Sequence, residues 1–287
     1  MRYMFLYITE GVMYYTYEEI DRLINEDMPM FDLTQELLDI KEKGKITFIT
    51  RKDCVVTANS LIEKLADKLG LKVLFKEKDG IYLKAGSRLF EAEGENVLIL
   101  WKVAQNIYEY ALSVSTYVYE MSAKARKYNP YIEILTTRKV IPFTKKIALQ
   151  AVIDGGGLPH RVTTTETILV FENYINLCGG WDKFYKDFEK LKQKSVEKKW
   201  VVEAKDLNQA KKLIEIGVDV LQLDKIDADT TKQIVDLAHD KNIKVISAGG
   251  VNIDNVEKYA KAGVDSIVTT APYFAKGADV KVIIEPS

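Results

Sequence analysis

Gly217-Val218-Asp219-Val220-Leu221-Gln222-Leu223-Asp224 decides how this chain folds, and Gly263-Val264-Asp265, 46 residues further on, repeats its opening. In both places the glycine ends a helical pattern and an apolar run follows at once, as at a helix C-terminus feeding a buried strand. An interval of that length fits two βα units. Working outward, the same grammar extends over the second half of the chain. Strands are predicted at Ile132–Thr137, Thr165–Phe171, Trp200–Ala204, Val218–Asp224, Ile243–Ala248 and Val264–Thr270. Helices are predicted between them at Thr144–Asp154, Trp181–Ser195, Asn208–Ile216, Asp229–Asp240 and Asp254–Ala262. Such alternation implies parallel strands with right-handed crossovers. About six or seven strands fit, so the expectation is a (β/α) parallel barrel, closed or incomplete.

Before Pro130 the pattern differs. A short helix capped by Thr16 is followed by strand-like runs at Lys45–Thr50, Cys54–Thr57, Leu71–Phe75, Ile81–Lys84 and Arg88–Glu93, with a helix at Ser60–Leu69 stopping at Gly70. Glu95–Lys127 reads as one long helix with Trp101, Ala104, Ile107, Tyr108, Ala111 and Ser115 on one face. The expected organisation is an α+β domain over 1–115, joined by a C-terminal strand in 276–287, and a barrel over 116–275. The fold class is α/β.

The chain has 287 residues, 47% hydrophobic and 29% charged, with a net charge of −1. That balance excludes bulk attraction to nucleic acid or to a membrane. No apolar run approaches the length of a membrane helix. The apolar start Met1–Tyr7 is short and runs into Glu10, which argues against a signal peptide. Cys54 and Cys178 show no metal spacing and suit a reducing compartment. A cytoplasmic protein is expected.

In parallel barrels chemistry sits at the C-terminal strand ends. Read in order, those ends offer Thr137-Arg138-Lys139, Phe171-Glu172, Glu203, Asp224-Lys225, Gly249-Gly250 and Thr269-Thr270-Ala271. His160 and Arg161, after the run Gly155-Gly156-Gly157, precede the second strand. Cations, then two carboxylates, then small residues suit a phosphorylated sugar. Gly249-Gly250 ahead of a helix offers backbone N–H groups to a phosphate. Glu203 and Asp224 suit ribose hydroxyls, directly or through Mg²⁺. Arg138, Lys139, His160 and Arg161 suit pyrophosphate or an acidic aromatic compound. The glycine run would let backbone approach a ligand. His239, on a Lys-rich helix end, reads as surface. Thr50-Arg51-Lys52 imitates Thr137-Arg138-Lys139 but lies in the N-terminal sheet and reads as structural. Lys183–Lys199 reads as a solvated helical face.

As a set, the motifs resemble one family over nearly the whole chain. They are Ile24-Asn25-Glu26-Asp27-Met28-Pro29, Asp32-Leu33-Thr34, Trp101–Asn106, Thr136–Lys139, Gly155–Arg161, Glu166–Phe171, Val202-Glu203-Ala204, Gln222–Lys225, Ala248-Gly249-Gly250 and Thr269–Ala275. They resemble the quinolinate phosphoribosyltransferase (nicotinate-nucleotide pyrophosphorylase) family, and within it the ModD branch found with molybdenum-transport genes. The resemblance implies a type II phosphoribosyltransferase, working as a homodimer with composite sites or a higher oligomer. It implies transfer from phosphoribosyl pyrophosphate (PRPP) to an aromatic acceptor, with Mg²⁺, releasing pyrophosphate. Carried over by position, Arg138 and Arg161 would face the acceptor's carboxylate, and Lys139 and His160 the acceptor or pyrophosphate. Glu203 and Asp224 would hold ribose and metal. Ala248, Gly249, Gly250, Thr270 and Ala271 would line the 5′-phosphate loop.

Two positions depart from the quinolinate enzymes: Phe171 stands where they have Lys, and Asn96 where they have an Arg that reaches the partner's site. Losing two cations leaves a dicarboxylate under-neutralised, so the expected acceptor is a less charged aromatic or heteroaromatic compound. The other readings are quinolinate transfer itself, with Lys102 of a partner copy supplying charge; an isomerase or lyase acting on a sugar phosphate; and a non-catalytic PRPP- or phosphate-binding protein tied to molybdate uptake.

Overall fold

A computed structural model describes residues 13–287. The reading of Met1–Tyr7 therefore lies outside the described residues. Among the described residues no helix is long and apolar enough to cross a membrane.

Helix α1 (Tyr17–Asp27) starts at Thr16, which forms a reciprocal capping box with Glu19. The short α2 (Leu33–Leu37) is capped by Asp32. There follow β1 (Gly44–Thr50), β2 (Cys54–Val55), α3 (Asn59–Lys68), β3 (Lys72–Lys76), β4 (Tyr82–Leu83), β5 (Arg88–Gly94) and the 30-residue α4 (Val97–Arg126). Strand β1 buries every second residue, the period-two pattern of a half-covered strand. On α4 the buried face runs through Leu100, Ala104, Ile107, Tyr108, Ala111 and Ser115; Trp101, expected on that face, is exposed.

The parallel half follows: β6 (Glu133–Thr136), α5 (Lys145–Asp154), β7 (Leu158–Pro159), β8 (Ile168–Val170), α6 (Glu172–Leu177), α7 (Trp181–Lys192), β9 (Trp200–Ala204), α8 (Leu207–Glu215), β10 (Val220–Asp224), α9 (Ala228–His239), β11 (Lys244–Ala248), α10 (Val256–Lys261) and β12 (Ser266–Thr269). The last strand, β13 (Val280–Pro286), pairs antiparallel with β1, so the C-terminus completes the N-terminal sheet in the order β13-β1-β5-β3.

Contacts divide the chain into two units. One holds the described residues up to Tyr119 with Ile141–Gly156 and Pro272–Ser287; the other holds Glu120–Val140 and Gly157–Ala271. Helix α5, predicted as a barrel helix, falls in the first unit by its contacts. The second unit is a seven-stranded, wholly parallel sheet in the order β7-β6-β12-β11-β10-β9-β8. The end strands β7 and β8 are not neighbours in that order, so the barrel is incomplete. Its inner face is packed by Leu135, Leu169, Val201, Val220, Ile246, Ala248 and Val268. The seventh strand, β7, is two residues long and was not among the six strands the pattern located.

In the glycine run before β7, Gly155 is required by packing and Gly156 by backbone conformation. A Cβ on Gly155 would lie 2.4 Å from the Ser115 carbonyl oxygen of α4, and Gly156 turns the chain at φ +80°.

The first unit also buries a carboxyl. Asp154, at the end of α5, is 6% exposed and accepts from Thr57 Oγ1 at 2.6 Å and Gln150 Nε2 at 2.9 Å. Burial outweighs the Thr57 bond, and with Asp79 nearby the group is pushed up to about 7. The folded state therefore favours protonated Asp154. Its stabilising contribution is complete below about pH 4 and is lost as pH rises through about 7, a swing of up to about 4 kcal/mol. Asp154→Asn is expected to flatten the fall in Tm between pH 4 and pH 7 measured by calorimetry. An unchanged pH profile in the variant would contradict this.

Candidate active site

Parallel pairing sends all seven strand C-termini to one rim, and a cavity of about 550 Å³ opens there. It is lined by Thr137, Arg138 and Lys139 after β6, His160 and Arg161 after β7, and Phe171, Glu172 and Asn173 after β8. Glu203 and Lys205 come from β9, Gln222, Asp224 and Lys225 from β10, Ala248, Gly249 and Gly250 from β11, and Thr269 and Thr270 from β12. Period-two alternation explains the delivery. Val201, Val220 and Ile246 face the apolar interior, and Glu203, Gln222 and Ala248 lie two residues on, on the same face.

Local bonds fix the cationic side. Thr137 Oγ1 bonds Thr270 Oγ1 at 3.2 Å, tying the ends of β6 and β12, and the Lys139 N–H donates to Thr137 Oγ1 at 3.2 Å. Beyond Arg161, Glu166 accepts from the N–H groups of Val162 at 2.7 Å and Thr163 at 2.9 Å, so the loop caps itself. Arg161 is buried; burial and then the Arg138 guanidinium lower its proton affinity, partly offset by Tyr174 and Glu166. His160 is pushed down to about 4 by burial and then by Arg161. At neutral pH it is an uncharged imidazole, able to donate or accept a hydrogen bond but adding no cation.

The two carboxylates form the opposite wall. Burial raises Glu203, and Asp224 raises it further; a hydrogen bond from Gln222 and the charges of Lys205 and Lys139 pull it back. Lys205 forms an ion pair with Glu172 across the mouth. Gln222 Nε2 donates to Glu203 Oε2 at 3.1 Å, while its Oε1 is buried with no protein partner. An unpaired buried carbonyl costs about 1–3 kcal/mol.

Gly249 is where backbone and chemistry meet most closely. Its φ is +79°, and a Cβ would lie 2.3 Å from Asp224 Oδ1 and 2.6 Å from Lys225 Cγ. Lys225 itself is left-handed at φ +58°, strain concentrated at the site. The expected helix after Gly250 begins only at Val256, so the amides of Gly249-Gly250 belong to a bend and not to a helix start. Ala271 is the one predicted site residue that does not line the cavity; its N–H is bound to Thr269 Oγ1 at 3.0 Å. Thr50-Arg51-Lys52 lies in the other unit, with Arg51 paired to Asp279. His239 pairs with Asp265, half-exposed.

Gln222, Lys205 and Asn173 were not picked out from the sequence as site residues. Parity could have found the first two, since Gln222 lies two residues before Asp224 and Lys205 two after Glu203. Asn173 leaves no such signal, because α6 starts directly after Phe171.

Such a rim is where parallel barrels carry their chemistry, and comparison with known proteins gives the class. The N-terminal domain of quinolinate phosphoribosyl transferase matches residues 32–112, and its C-terminal domain residues 114–282. The ModD protein of Pasteurella multocida, described as a pyrophosphorylase, is 37% identical over 96% of this chain and 99% of its own. The ModD protein of Escherichia coli is 34% identical over 94% and 96% respectively. The nicotinate-nucleotide pyrophosphorylase of Francisella tularensis superposes with a TM-score of 0.85 at 23% identity, covering 95% of this chain and 98% of that one, which shows the shared fold. The chain belongs to the quinolinate phosphoribosyl transferase family and is a phosphoribosyltransferase, with ModD proteins among its relatives.

The geometry at Gly249 makes a direct prediction. Gly250→Ala meets open space and pays only the left-handed backbone, about 1–2 kcal/mol. Gly249→Ala pays that and displaces Asp224, so it loses both more Tm and nearly all turnover. Equal losses in the two variants would contradict the assignment.

Proposed function

We propose that this enzyme transfers the phosphoribosyl group of PRPP to an aromatic or heteroaromatic acceptor other than quinolinate, releasing pyrophosphate. The observation that carries the acceptor reading is Phe171. Its ring packs against the apolar interior of the half-barrel and stacks on Tyr174 with centroids 6.4 Å apart, so this corner of the cavity is apolar. Elsewhere the charges lining the cavity are five cations, Arg138, Lys139, Arg161, Lys205 and Lys225, against Glu172, Glu203 and Asp224. Lys205 is already paired with Glu172. Little free positive charge remains once PRPP is bound, and a second dianion would sit under-neutralised.

Lys102, the candidate substitute cation, and Asn96, at the position of the missing arginine, are both engaged elsewhere. Lys102 is ion-paired with Asp32, and Asn96 donates to the Leu69 carbonyl at 2.9 Å.

In this reading Gly249, Gly250 and Thr270 receive the 5′-phosphate, and Glu203 and Asp224 hold the ribose hydroxyls. Arg138, Arg161 and neutral His160 orient acceptor and pyrophosphate. The C1–O bond to pyrophosphate breaks with its electron pair leaving on oxygen, and the acceptor's lone pair forms the new bond to C1. The protein contributes position and a preorganised field rather than a nucleophile. Lys139 meets the charge developing on pyrophosphate. Mg²⁺ fits beside Glu203 and Asp224, two carboxylates whose mutual repulsion a divalent cation would relieve. Bound there, Mg²⁺ would supply charge neutralisation for the departing pyrophosphate. Among the described residues no group of three or more His, Cys, Asp or Glu forms a ready metal cage, which suits an ion held mainly by substrate and water.

A homodimer is proposed as well. Met30, Leu33, Leu37 and Leu38 are exposed around α2, an apolar face that suits a subunit interface. Unpaired Cys54 and Cys178 suit the reducing cytoplasm. A link to molybdenum uptake is proposed from the sequence resemblance to the ModD branch alone.

The test is a product screen with PRPP, Mg²⁺ and a panel of aromatic acids and azoles including quinolinate, read as pyrophosphate release and a new ribonucleotide by mass. A ribonucleotide from a weakly charged acceptor is expected, with Glu203→Ala and Asp224→Ala each losing at least about 100-fold in kcat/KM while remaining folded. Both variants retaining activity would refute their roles. Absence of PRPP turnover with every acceptor would refute the function.

A further inference from the structure

Gln222 lies on the inner face of β10, two residues beyond Val220 of the apolar interior and beside Ile246 on β11. It is 4% exposed and stands directly across the parallel ladder from Glu203. Its Nε2 donates to Glu203 Oε2 at 3.1 Å, the one hydrogen bond to that carboxylate found among the described residues. This bond dictates the amide's orientation. Reversing the amide would set its oxygen against a carboxylate oxygen, so the N–H₂ end must face Glu203. The carbonyl is then turned the other way, where Oε1 is buried without a protein partner. An apolar side chain of the same length would fill this space without stranding a carbonyl. A buried polar group kept at a loss beside a reacting centre marks a functional constraint.

We propose that Gln222 is a positioning residue that fixes the rotamer of Glu203, and that its stranded carbonyl is a stability cost borne for catalysis. The proposal rests on the phosphoribosyl-transfer reading, in which Glu203 holds the ribose. Stability and turnover should consequently move in opposite directions when Gln222 becomes apolar. A residue that merely packs the floor would move them together. The effect should also vanish when Glu203 is absent, because Gln222 acts through it.

The experiment is a cycle of Gln222→Met, Glu203→Ala and the double variant in the full-length chain. Methionine keeps the length and removes the amide. Each protein is measured for Tm, for kcat and KM with PRPP and the best acceptor, and for PRPP affinity by calorimetry. Gln222→Met is expected to hold or raise Tm, to lower kcat by about 10- to 100-fold, and to leave the acceptor KM nearly unchanged. In the Glu203→Ala background the same substitution should alter neither PRPP affinity nor residual turnover. Three results would each overturn the proposal: wild-type kcat in Gln222→Met, a clear drop in its Tm, or a full additional loss in the double variant. A wild-type protein that neither binds nor turns over PRPP would instead bring down the functional reading, and this proposal with it. Wild-type activity together with any of the three results leaves that reading standing.

Discussion

Parallel strand pairing is the constraint on which everything else here depends. Because all seven strands of the half-barrel run the same way, every loop that follows a strand opens on one rim. Because side chains alternate, an inward residue near a strand's end is either in the apolar interior or, two positions on, in the cavity. Val201 and Glu203 show this on β9, Val220 and Gln222 on β10. The apolar layer that holds the sheet together is thus also the floor of the site. The price of that economy is crowding at the rim, where Gly249 must do without a Cβ and Lys225 must accept a left-handed backbone.

Electrostatics then separates the walls. One wall gathers Arg138, Lys139 and Arg161, with His160 kept neutral by burial and by Arg161; the other gathers Glu203 and Asp224, with Lys205, itself paired to Glu172, and Lys225 beside them. In the proposed reading the cationic wall meets the phosphates and the carboxylates meet the sugar hydroxyls. The apolar corner at Phe171 faces neither need, and it is there that the acceptor reading departs from quinolinate.

Much of this was legible in the sequence, for identifiable reasons. The glycine–apolar boundaries at Gly217 and Gly263 announce helix ends and strand starts, so the βα alternation could be read directly. Eleven of the twelve predicted site residues line the cavity, nine at strand ends located in that way and His160 and Arg161 from the loop read as preceding a strand; Ala271, whose N–H turns back to Thr269, stays outside. What could not be read depends on tertiary contact. Strand β7 has two residues, too few for any period to register. Gly155 seemed a ligand-binding glycine because its neighbours are His160 and Arg161, yet it is fixed by the Ser115 carbonyl forty residues away in sequence. Helix α5 carries an ordinary barrel-helix pattern but belongs to the other unit, and no local signal distinguishes the two cases.

The central claim is that Phe171 sets the charge of the acceptor. The most direct measurement is kcat/KM for quinolinate in the wild-type enzyme and in Phe171→Lys, with PRPP saturating and the best acceptor as internal control. The account predicts poor quinolinate turnover in the wild type, a gain of about 10-fold or more in the variant, and a fall with the preferred acceptor. Efficient quinolinate turnover by the wild type, or no gain on adding the lysine in a folded and PRPP-competent variant, would contradict it.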